Sequence, residues 1–235
     1  MRKRAVATMD QYVDIADACY GSPADPKQPP SGFKIQKWEW ATWYGDGYQG
    51  GIFSSSSEVV VGFSGTKGGV TTAPVSQNSG NVRLGVNVIP NMAGSAFAMV
   101  EWAQKNYKAV PISIVGHSLG GALAQVVGNW AGVPFICLNG PGMVSHLKMS
   151  AFNIFKPMQM FRSATGKNTS DTVGICFTVK GDVIAEFGYH VGYEIVVPRL
   201  NTNMSAHGLW AVGAGINAKG FGKSQPRDIL STWPK

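Results

Sequence analysis

The sequence predicts an α/β protein with a mostly parallel central sheet flanked by helices, and two observations support this class. From about residue 58 onward, short β-branched or apolar runs alternate with helical segments at the spacing of βαβ units. The run at 58–62, Glu-Val-Val-Val-Gly, also has the continuous apolar character of a strand that is buried on both faces. Parallel strands joined by helices need right-handed crossovers, so we expect the helices to cover the sheet.

An N-terminal helix and a pair of antiparallel edge strands are expected before the parallel part. Residues 5–19 place apolar side chains at helical spacing, with three aspartates on the opposite side. Residues 33–43 and 51–53 have the character of an antiparallel pair joined through a turn at 45–47. These segments extend the predicted sheet at one edge.

The remaining segments predict the rest of the sheet and its helices. A polar loop at 67–91 is long enough to indicate a function rather than a simple connection. The length of 235 residues is within the range of one domain, so we expect a single domain over residues 1–235. The other expected elements are helices at 92–107, 119–130 and about 205–216, and strands at 111–115, 134–138, 173–180 and 192–198.

The charge pattern restricts the class of partner. The formal net charge is +7, and no acidic residue lies between Glu101 and Asp171, a stretch that contains several lysines and one arginine. We therefore expect this stretch to attract anions. No nucleic-acid-binding motif accompanies the charge and no basic run is longer than residues 2–4, which argues against a nucleic-acid partner.

The three cysteines predict neither a disulfide framework nor a metal site. Cys19, Cys137 and Cys176 are widely spaced, and the last two lie in apolar, strand-like runs. Buried, reduced thiols are therefore the expected state. We expect no metal and no cofactor.

The start of the chain has a basic region but no signal-peptide core. Residues 2–4 are basic, yet Asp10 interrupts the apolar stretch that follows before it reaches the length of a Sec signal. No apolar run approaches the roughly 18 residues that span a bilayer. We expect synthesis in the cytoplasm, with no Sec signal and no transmembrane segment.

Ser118 is the central candidate residue, in the sequence Gly-His-Ser-Leu-Gly-Gly at 116–121. The pattern G-x-S-x-G is weak by itself in a chain with 30 glycines, but here an apolar strand runs into it and a helix of small and aliphatic residues follows. That context predicts a nucleophile elbow, a tight strand-to-helix turn that presents the serine hydroxyl. The helix N-terminus also directs backbone N–H groups toward the place where an oxyanion would form.

A serine nucleophile needs a histidine base and an acid that orients it. In this kind of sheet the acid follows the serine and precedes the histidine, which excludes His146 as the base and Asp228 as the acid. Asp182 follows the strand-like run at 175–179 and would lie at the active-site edge of the sheet, whereas Asp171 precedes that strand. Asp182 is therefore the expected acid.

Two histidines remain candidates for the base. His207 lies in a loop just before a helix, a position that is able to reach the elbow. His190 opens a strand-like run at 191–197, which is more typical of a structural histidine, and the residues alone leave it as an alternative. His117, beside the serine, is expected to point elsewhere.

In their order along the chain, these motifs resemble those of the class 3 lipase family of α/β-hydrolases. Residues 59–66 are similar to the family's strand ending in Phe-Arg-Gly-Ser/Thr, and residues 116–123 match its elbow. Residues 178–183 resemble its acid loop, and 189–195 followed by 206–209 resemble its final strand and catalytic histidine segment. The resemblance implies the α/β-hydrolase fold.

The resemblance also implies roles for individual residues. Ser118, Asp182 and His207 would form the catalytic triad. Backbone N–H groups of Thr66 and Leu119 would form the oxyanion hole. This assignment favours setting His190 aside.

Two departures from the family pattern affect the expected substrate. Ser64 stands where the family usually has arginine, so an ion pair that would fix the oxyanion loop is absent. Residues 67–91 lack the family's usual His-x-Gly-Phe segment and the apolar lid expected there. Interfacial activation and a triglyceride preference are therefore not implied.

We interpret the chain as a serine hydrolase that cleaves carboxylic esters of lipids, with phospholipid acyl esters favoured over neutral glycerides. Residues 143–162 combine ten large apolar residues with three cations and no acid. Such a segment is suited to docking on an anionic membrane surface and opening an acyl-chain groove. A cap helix that packs over the core is an equally good interpretation of the same residues.

Other interpretations remain open at this stage. The enzyme could instead hydrolyse triglycerides or small esters, or the fold could serve as a catalytically silent interaction module. A lipolytic motif without a Sec signal suggests export by a dedicated bacterial route, for instance as an antibacterial lipase effector of a type VI secretion system. That hypothesis adds an immunity protein or a secretion-apparatus component as a partner.

Overall fold

Seven strands form one sheet in the part of the chain that the structure describes, and they follow one another across it in chain order. The computed structural model describes residues 7–22, 25, 27–40, 47–66, 89–165 and 174–232. The strands are β1 Lys34–Glu39, β2 Gly50–Ser54, β3 Val59–Phe63, β4 Ile112–His117, β5 Phe135–Leu138, β6 Gly174–Val179 and β7 Tyr193–Val197. Neighbours from β1 to β3 pair antiparallel, and those from β3 to β7 pair parallel. The predicted mostly parallel sheet with antiparallel edge strands is confirmed.

The helices follow the predicted pattern with two shifted starts and one helix, at 226–232, that the sequence did not predict. They are α1 Met9–Ala18, α2 Ala93–Asn106, α3 Leu119–Ala131, α4 Val144–Ser150, α5 Pro157–Thr165, α6 Leu209–Ala218 and α7 Pro226–Thr232. The helix predicted over residues 5–19 begins at Met9. We predicted that α6 starts near residue 205, but residues 205–207 form a turn and Gly208 is the N-cap. The predicted turn at 45–46 and residues 67–88 of the predicted loop lie outside the described residues. Among those that are described, no helix is both long and apolar enough to cross a bilayer.

The sheet separates two apolar layers. One layer contains side chains of α2 and α3 packed on β2 to β6, and the other contains side chains of α1 and α6 packed on the opposite face. Every residue of α3 is buried, which explains why that helix has no charged side chain. Because burial on both faces removes apolar surface from water along the whole sheet, the continuous apolar run predicted at 58–62 is the expected sequence for β3.

The parallel strands bring separate parts of the chain to one edge of the sheet. The carboxyl ends of β3, β4, β5 and β6 lie side by side, since each strand pairs in parallel with the next. The residues that follow these strands include Thr66, Ser118, Asn139 and Asp182. This is the edge at which an α/β sheet usually binds ligands.

Glu58 is a buried carboxyl group immediately before β3. The residue is 3% exposed, and the backbone N–H of Ala7 donates a hydrogen bond to its side chain. Burial raises the pKa of the carboxyl group to about 7, and the hydrogen bond from Ala7 offsets part of that effect. The folded protein therefore holds this proton over a pH range in which the unfolded chain has released it.

This difference predicts that the contribution of Glu58 to the free energy of unfolding falls as pH rises from about 4.5 to about 7. Glu58→Gln removes this titration. Over this pH range the free energy of unfolding of the unmodified protein should therefore fall, relative to that of the variant, by on the order of 2 kcal/mol. Urea unfolding at pH 5 and pH 8 measures the effect. The control is Glu39→Gln at a partly exposed carboxylate paired with Lys37, which should keep the original pH dependence. An equal pH dependence in Glu58→Gln and the unmodified protein would contradict the prediction.

Candidate active site

Ser118 occupies a strained turn between β4 and α3. Its φ is 58° and its ψ is −124°, a conformation that non-glycine residues seldom adopt. The N–H of Ser118 donates to Leu138 O at 2.9 Å, and its carbonyl accepts from Gly121 and Ala122 at 2.9 and 3.1 Å. These bonds hold the strained residue between the end of β5 and the first turn of the helix.

Two glycines on either side of Ser118 make this turn possible. A Cβ on Gly116 would overlap the carbonyl group of Gly120. A Cβ on Gly120 would overlap the carbonyl oxygen of Phe63 at the end of β3 and lie 2.7 Å from that of Ser64. The first turn of α3 therefore packs directly against the backbone of β3, as the predicted elbow requires.

Asp182 lies in a short turn after β6, where its carboxylate is almost fully buried. The residue is 2% exposed, and its Oδ1 accepts a hydrogen bond from the N–H of Ile184 at 3.0 Å. The preceding Gly181 has φ +83°, which lets the chain reverse immediately after the strand. The turn therefore fixes the carboxylate and leaves Oδ2 available to a second donor.

That second donor is His207. Its Nδ1 is 2.8 Å from Asp182 Oδ2, and its Nε2 is 2.7 Å from Ser118 Oγ. A carboxylate only accepts hydrogen bonds, so Nδ1 carries the proton and the lone pair of Nε2 faces the serine hydroxyl. The structure thus brings the three residues predicted as a triad into one hydrogen-bonded chain, in a geometry that can remove the serine proton.

Asn139 is a supporting residue that the sequence did not indicate. It follows β5 with φ 49°, and its Nδ2 donates to Ala206 O at 3.0 Å. Its Oδ1 accepts from the N–H of Val179 at 2.9 Å, so one side chain ties the segment before His207 to the strand that precedes Asp182. The sequence Leu-Asn-Gly-Pro-Gly at 138–142 could have indicated a left-handed turn at Asn139, because asparagine is favoured in such turns.

His117 was expected to point away from the site, but the structure places its ring against His207. Its Nε2 donates to His207 O at 2.8 Å, and the centroids of the two imidazole rings are 5.3 Å apart. Burial, with a smaller effect from the neighbouring His207, lowers the pKa of His117 to about 4. His117 is therefore neutral near pH 7 and supports the backbone of His207.

The residues predicted for the oxyanion hole both adjoin Ser118. Thr66 lines an open pocket of about 340 Å³ together with Tyr20, Ser118 and His207. Leu119 is the first residue of α3, so its N–H has no carbonyl partner within the helix, while its side chain is buried in the core. Thr66 therefore lines the same pocket as Ser118, and Leu119 follows Ser118 in the chain. The role of their N–H groups in an oxyanion hole stays a prediction.

The alternative base lies away from Ser118. His190 Nε2 donates to Gly140 O at 2.9 Å, and its Nδ1 is 3.4 Å from Glu194 Oε1. His190 therefore has the structural role that its strand-like surroundings indicated. Asp171 lies outside the described residues.

Cys137, Cys176 and one ring nitrogen of His190 come within 4.8 Å of one another, which their spacing in the sequence did not indicate. All three also have partners in the protein. Cys137 Sγ accepts from Gln125 Nε2 at 3.3 Å, and Cys176 Sγ contacts Val191 O at 3.5 Å. We interpret this cluster as hydrogen-bonded core and assign no metal to it.

Comparisons with known proteins agree with the predicted family resemblance. Residues 59–132 match the model of the family described as lipase (class 3). That stretch contains Thr66, Ser118 and Leu119 but neither Asp182 nor His207. No curated protein matches this chain at a significant level.

Three lipase structures illustrate the similarity of fold. The Lip2 lipase from Yarrowia lipolytica is 14% identical, with 80% of this chain and 77% of that chain covered and a TM-score of 0.53. The lipase from Rhizopus microsporus var. chinensis is 16% identical, with 83% and 79% covered and a TM-score of 0.50. The Rhizomucor miehei lipase in its propeptide complex is 16% identical, with 80% and 67% covered and a TM-score of 0.52.

At these identities the structural similarity establishes the fold, and the family model covers the β3-to-α3 segment. The predicted resemblance to the class 3 lipases is confirmed, and the chain has the α/β-hydrolase fold.

Proposed function

We propose that this protein is a serine hydrolase that cleaves carboxylic esters of lipids. The observation that carries the proposal is the continuous hydrogen-bonded chain Ser118–His207–Asp182, at 2.7 and 2.8 Å, beside an open pocket. The class 3 lipase match over residues 59–132 supports a lipid ester as the substrate class.

In the proposed reaction, Ser118 Oγ attacks the ester carbonyl carbon while His207 Nε2 takes the hydroxyl proton. The carbonyl oxygen becomes an oxyanion, which the N–H groups of Thr66 and Leu119 stabilise. His207 then gives the proton to the alcohol oxygen as the ester C–O bond breaks, and an acyl-serine remains. Water, deprotonated by His207, attacks the acyl carbon, and the fatty acid leaves as the Ser118 hydroxyl is restored.

Asp182 has two roles in this scheme. Its carboxylate holds His207 with the proton on Nδ1, and its charge stabilises the imidazolium that forms after Nε2 accepts the serine proton. The hydrogen bond from the N–H of Ile184 to the other carboxylate oxygen fixes the orientation of the carboxylate. No cofactor takes part in the proposed reaction.

The alternative is a silent module with the same fold, and a covalent probe separates the two. We expect a fluorophosphonate to label Ser118 in the folded protein and Ser118→Ala to abolish both labelling and ester hydrolysis. Asp182→Asn should reduce kcat by on the order of 10³ to 10⁴-fold, because the wrong histidine tautomer is then favoured. Mass spectrometry of the labelled peptide and hydrolysis of a soluble nitrophenyl ester measure these effects.

Ser113→Ala is the matched control, because this serine lies on β4 but bonds to Tyr12 Oη rather than to the triad. It should retain labelling and turnover. Full hydrolytic activity in Ser118→Ala, or failure of the folded protein to react with the probe, would contradict the proposal.

The surface formed by α4 and α5 supports a membrane-bound lipid as the substrate. Phe152 is 84% exposed and Phe155 is 89% exposed, in the turn between the two helices. The neighbouring large apolar side chains Met149, Ile154, Met158 and Phe161 are also exposed. Contiguous apolar exposure of this kind is typical of protein or membrane interaction sites.

The three cations of this segment have different surroundings. Lys148 borders a pocket of about 490 Å³ between α4 and α5, and Lys156 Nζ donates to Asn91 Oδ1 at 2.9 Å. The guanidinium of Arg162 stacks 4.1 Å from the centre of the Phe97 ring and therefore helps to attach α5 to α2. The predicted cap and the predicted docking surface are thus compatible, because one face of the segment packs and the other is exposed.

Replacement of the exposed aromatic residues tests the docking surface. The double variant Phe152→Ser/Phe155→Ser should bind phosphatidylglycerol vesicles at least about 10-fold more weakly, since two apolar side chains no longer enter the lipid interface. Vesicle cosedimentation at low salt measures binding. Turnover of a soluble ester should stay within about two-fold of the original value.

The control is Ile35→Ser, an exposed apolar residue on edge strand β1 that should leave vesicle binding unchanged. Equal loss of binding in both variants would indicate a nonspecific effect. Unchanged binding in the double variant would exclude this surface as the docking site.

The headgroup preference needs a direct comparison. We expect faster release of fatty acid from phosphatidylglycerol vesicles than from a triglyceride emulsion, because the acid-free basic stretch attracts an anionic interface. Mass spectrometry of the released acids, with phosphatidylethanolamine as a third substrate and Ser118→Ala as a blank, measures the rates. Cleavage of tributyrin with no cleavage of phosphatidylglycerol would contradict the phospholipid preference and favour the triglyceride alternative.

Export by a dedicated bacterial system, an antibacterial role, and an immunity or secretion-apparatus partner stay predictions from the sequence.

A further inference from the structure

A second hydrogen-bonded chain lies next to the triad and takes no part in the proposed reaction. The N–H of Gly65 donates to Tyr20 Oη at 2.9 Å, and Tyr20 Oη is 2.6 Å from His117 Nδ1. The other ring nitrogen of His117 is 2.8 Å from the carbonyl oxygen of His207. This chain therefore joins the residue before Thr66 to the backbone of the histidine that contacts Ser118.

The donors and acceptors of this chain follow from the chemistry of its members. The carbonyl of His207 can only accept, so His117 Nε2 carries a proton. Because the pKa of His117 is lowered to about 4, the ring is neutral near pH 7 and Nδ1 is an acceptor. Tyr20 must then donate its hydroxyl proton to Nδ1, which leaves its oxygen to accept from Gly65.

Tyr20 is held rigidly from both sides. Gln49 Nε2 donates to Cys19 O at 2.5 Å and to Gly21 O at 2.9 Å, so one buried amide fixes the two neighbours of Tyr20. The backbone carbonyl of Gln49 also accepts from the N–H of Ser64 at 3.1 Å. The end of α1 and the loop after β3 are therefore attached to the same residue.

Gly65 lies in close contact with both chains. A Cβ at this position would lie 2.5 Å from Tyr20 Oη and 2.8 Å from Ser118 Cβ. A small movement of Gly65 would thus change the position of the following N–H group, that of Thr66, relative to the serine. A displacement of about 1 Å in a catalytic group can lower a rate by on the order of 100-fold.

We propose that Tyr20 is a positioning residue whose hydroxyl, acting through Gly65 and His117, fixes the oxyanion loop and the catalytic histidine relative to each other. This inference rests on the proposed function, because positioning matters only if Ser118 attacks an ester. Tyr20 itself donates nothing to the substrate in this scheme. Its hydroxyl stabilises the loop at Gly65–Thr66, where Ser64 provides no ion pair.

Tyr20→Phe removes the hydroxyl and keeps the ring in place. With a soluble nitrophenyl ester, we expect kcat to fall by about 10- to 100-fold, because the oxyanion contact weakens in the transition state. KM should change by less than about three-fold, since the ring still fills the same space. Stopped assays at several ester concentrations measure the two constants separately.

Tyr12→Phe is the matched control. Tyr12 is a fully buried tyrosine of α1, and its hydroxyl donates to Ser113 Oγ at 2.9 Å, away from Ser118. Tyr12→Phe loses one buried hydrogen bond, whereas Tyr20→Phe loses the bond to His117 and the bond from Gly65. Both variants should lower Tm, but Tyr12→Phe should keep kcat within about two-fold. A kcat for Tyr20→Phe as high as that of Tyr12→Phe would overturn the inference, as would an effect on KM alone.

The same experiment distinguishes failure of the proposed function from failure of the positioning inference. If the proposed function is wrong, the unmodified protein shows no ester hydrolysis above Ser118→Ala. If only the positioning inference is wrong, hydrolysis depends on Ser118 while Tyr20→Phe keeps its full kcat.

A double-mutant cycle tests the route through His117. His117→Phe keeps an aromatic ring at this position but offers neither an acceptor to the Tyr20 hydroxyl nor a donor to His207 O. The effect of Tyr20→Phe on kcat should therefore be smaller in this background than in the unmodified protein, by at least about three-fold. Fully additive effects would overturn the route through His117.

Discussion

Parallel pairing of neighbouring strands is the constraint on which the rest of this structure depends. Because β3 to β7 pair in parallel and in chain order, their carboxyl ends lie side by side at one edge. Residues that are far apart in the sequence, such as Ser118 and Asp182, are brought together by this arrangement alone. Side-chain hydrogen bonds then adjust positions that the sheet has already made close.

The loops at this edge are fixed in different ways, according to their length. The elbow is fixed by backbone packing, since only glycine fits at positions 116 and 120 against the neighbouring carbonyl groups. The turn after β6 is short and held by its own hydrogen bonds. The segment before α6 is longer, and two side chains, Asn139 and His117, hold the consecutive carbonyls of Ala206 and His207. Polar side chains therefore compensate where the backbone alone would leave the histidine unrestrained.

Two surfaces near this edge of the sheet differ in character: the triad pocket is lined mostly by polar residues, and the turn between α4 and α5 is apolar. The triad pocket is bordered by hydrogen-bonding groups that have defined partners, and such a network favours one arrangement of the catalytic groups. The turn between α4 and α5 exposes aromatic side chains that have no comparable packing. A rigid reaction centre and an adaptable apolar surface are both needed to hydrolyse an ester held in a membrane, and the proposed function assigns these tasks to different parts of the chain.

The sequence by itself predicted the sheet class, the elbow at Ser118, and Asp182 and His207 as the partners of the serine, because these features depend on local patterns and on their order along the chain. It did not predict Asn139 and His117 as supports of the His207 segment, or the contact of Tyr20 with Gly65. Tyr20 and Gly65 are 45 residues apart, and His117 and His207 are 90 apart. No local periodicity indicates such pairs, since hydrogen bonds between distant segments depend on where the folded sheet places them. The tertiary structure alone decided those contacts.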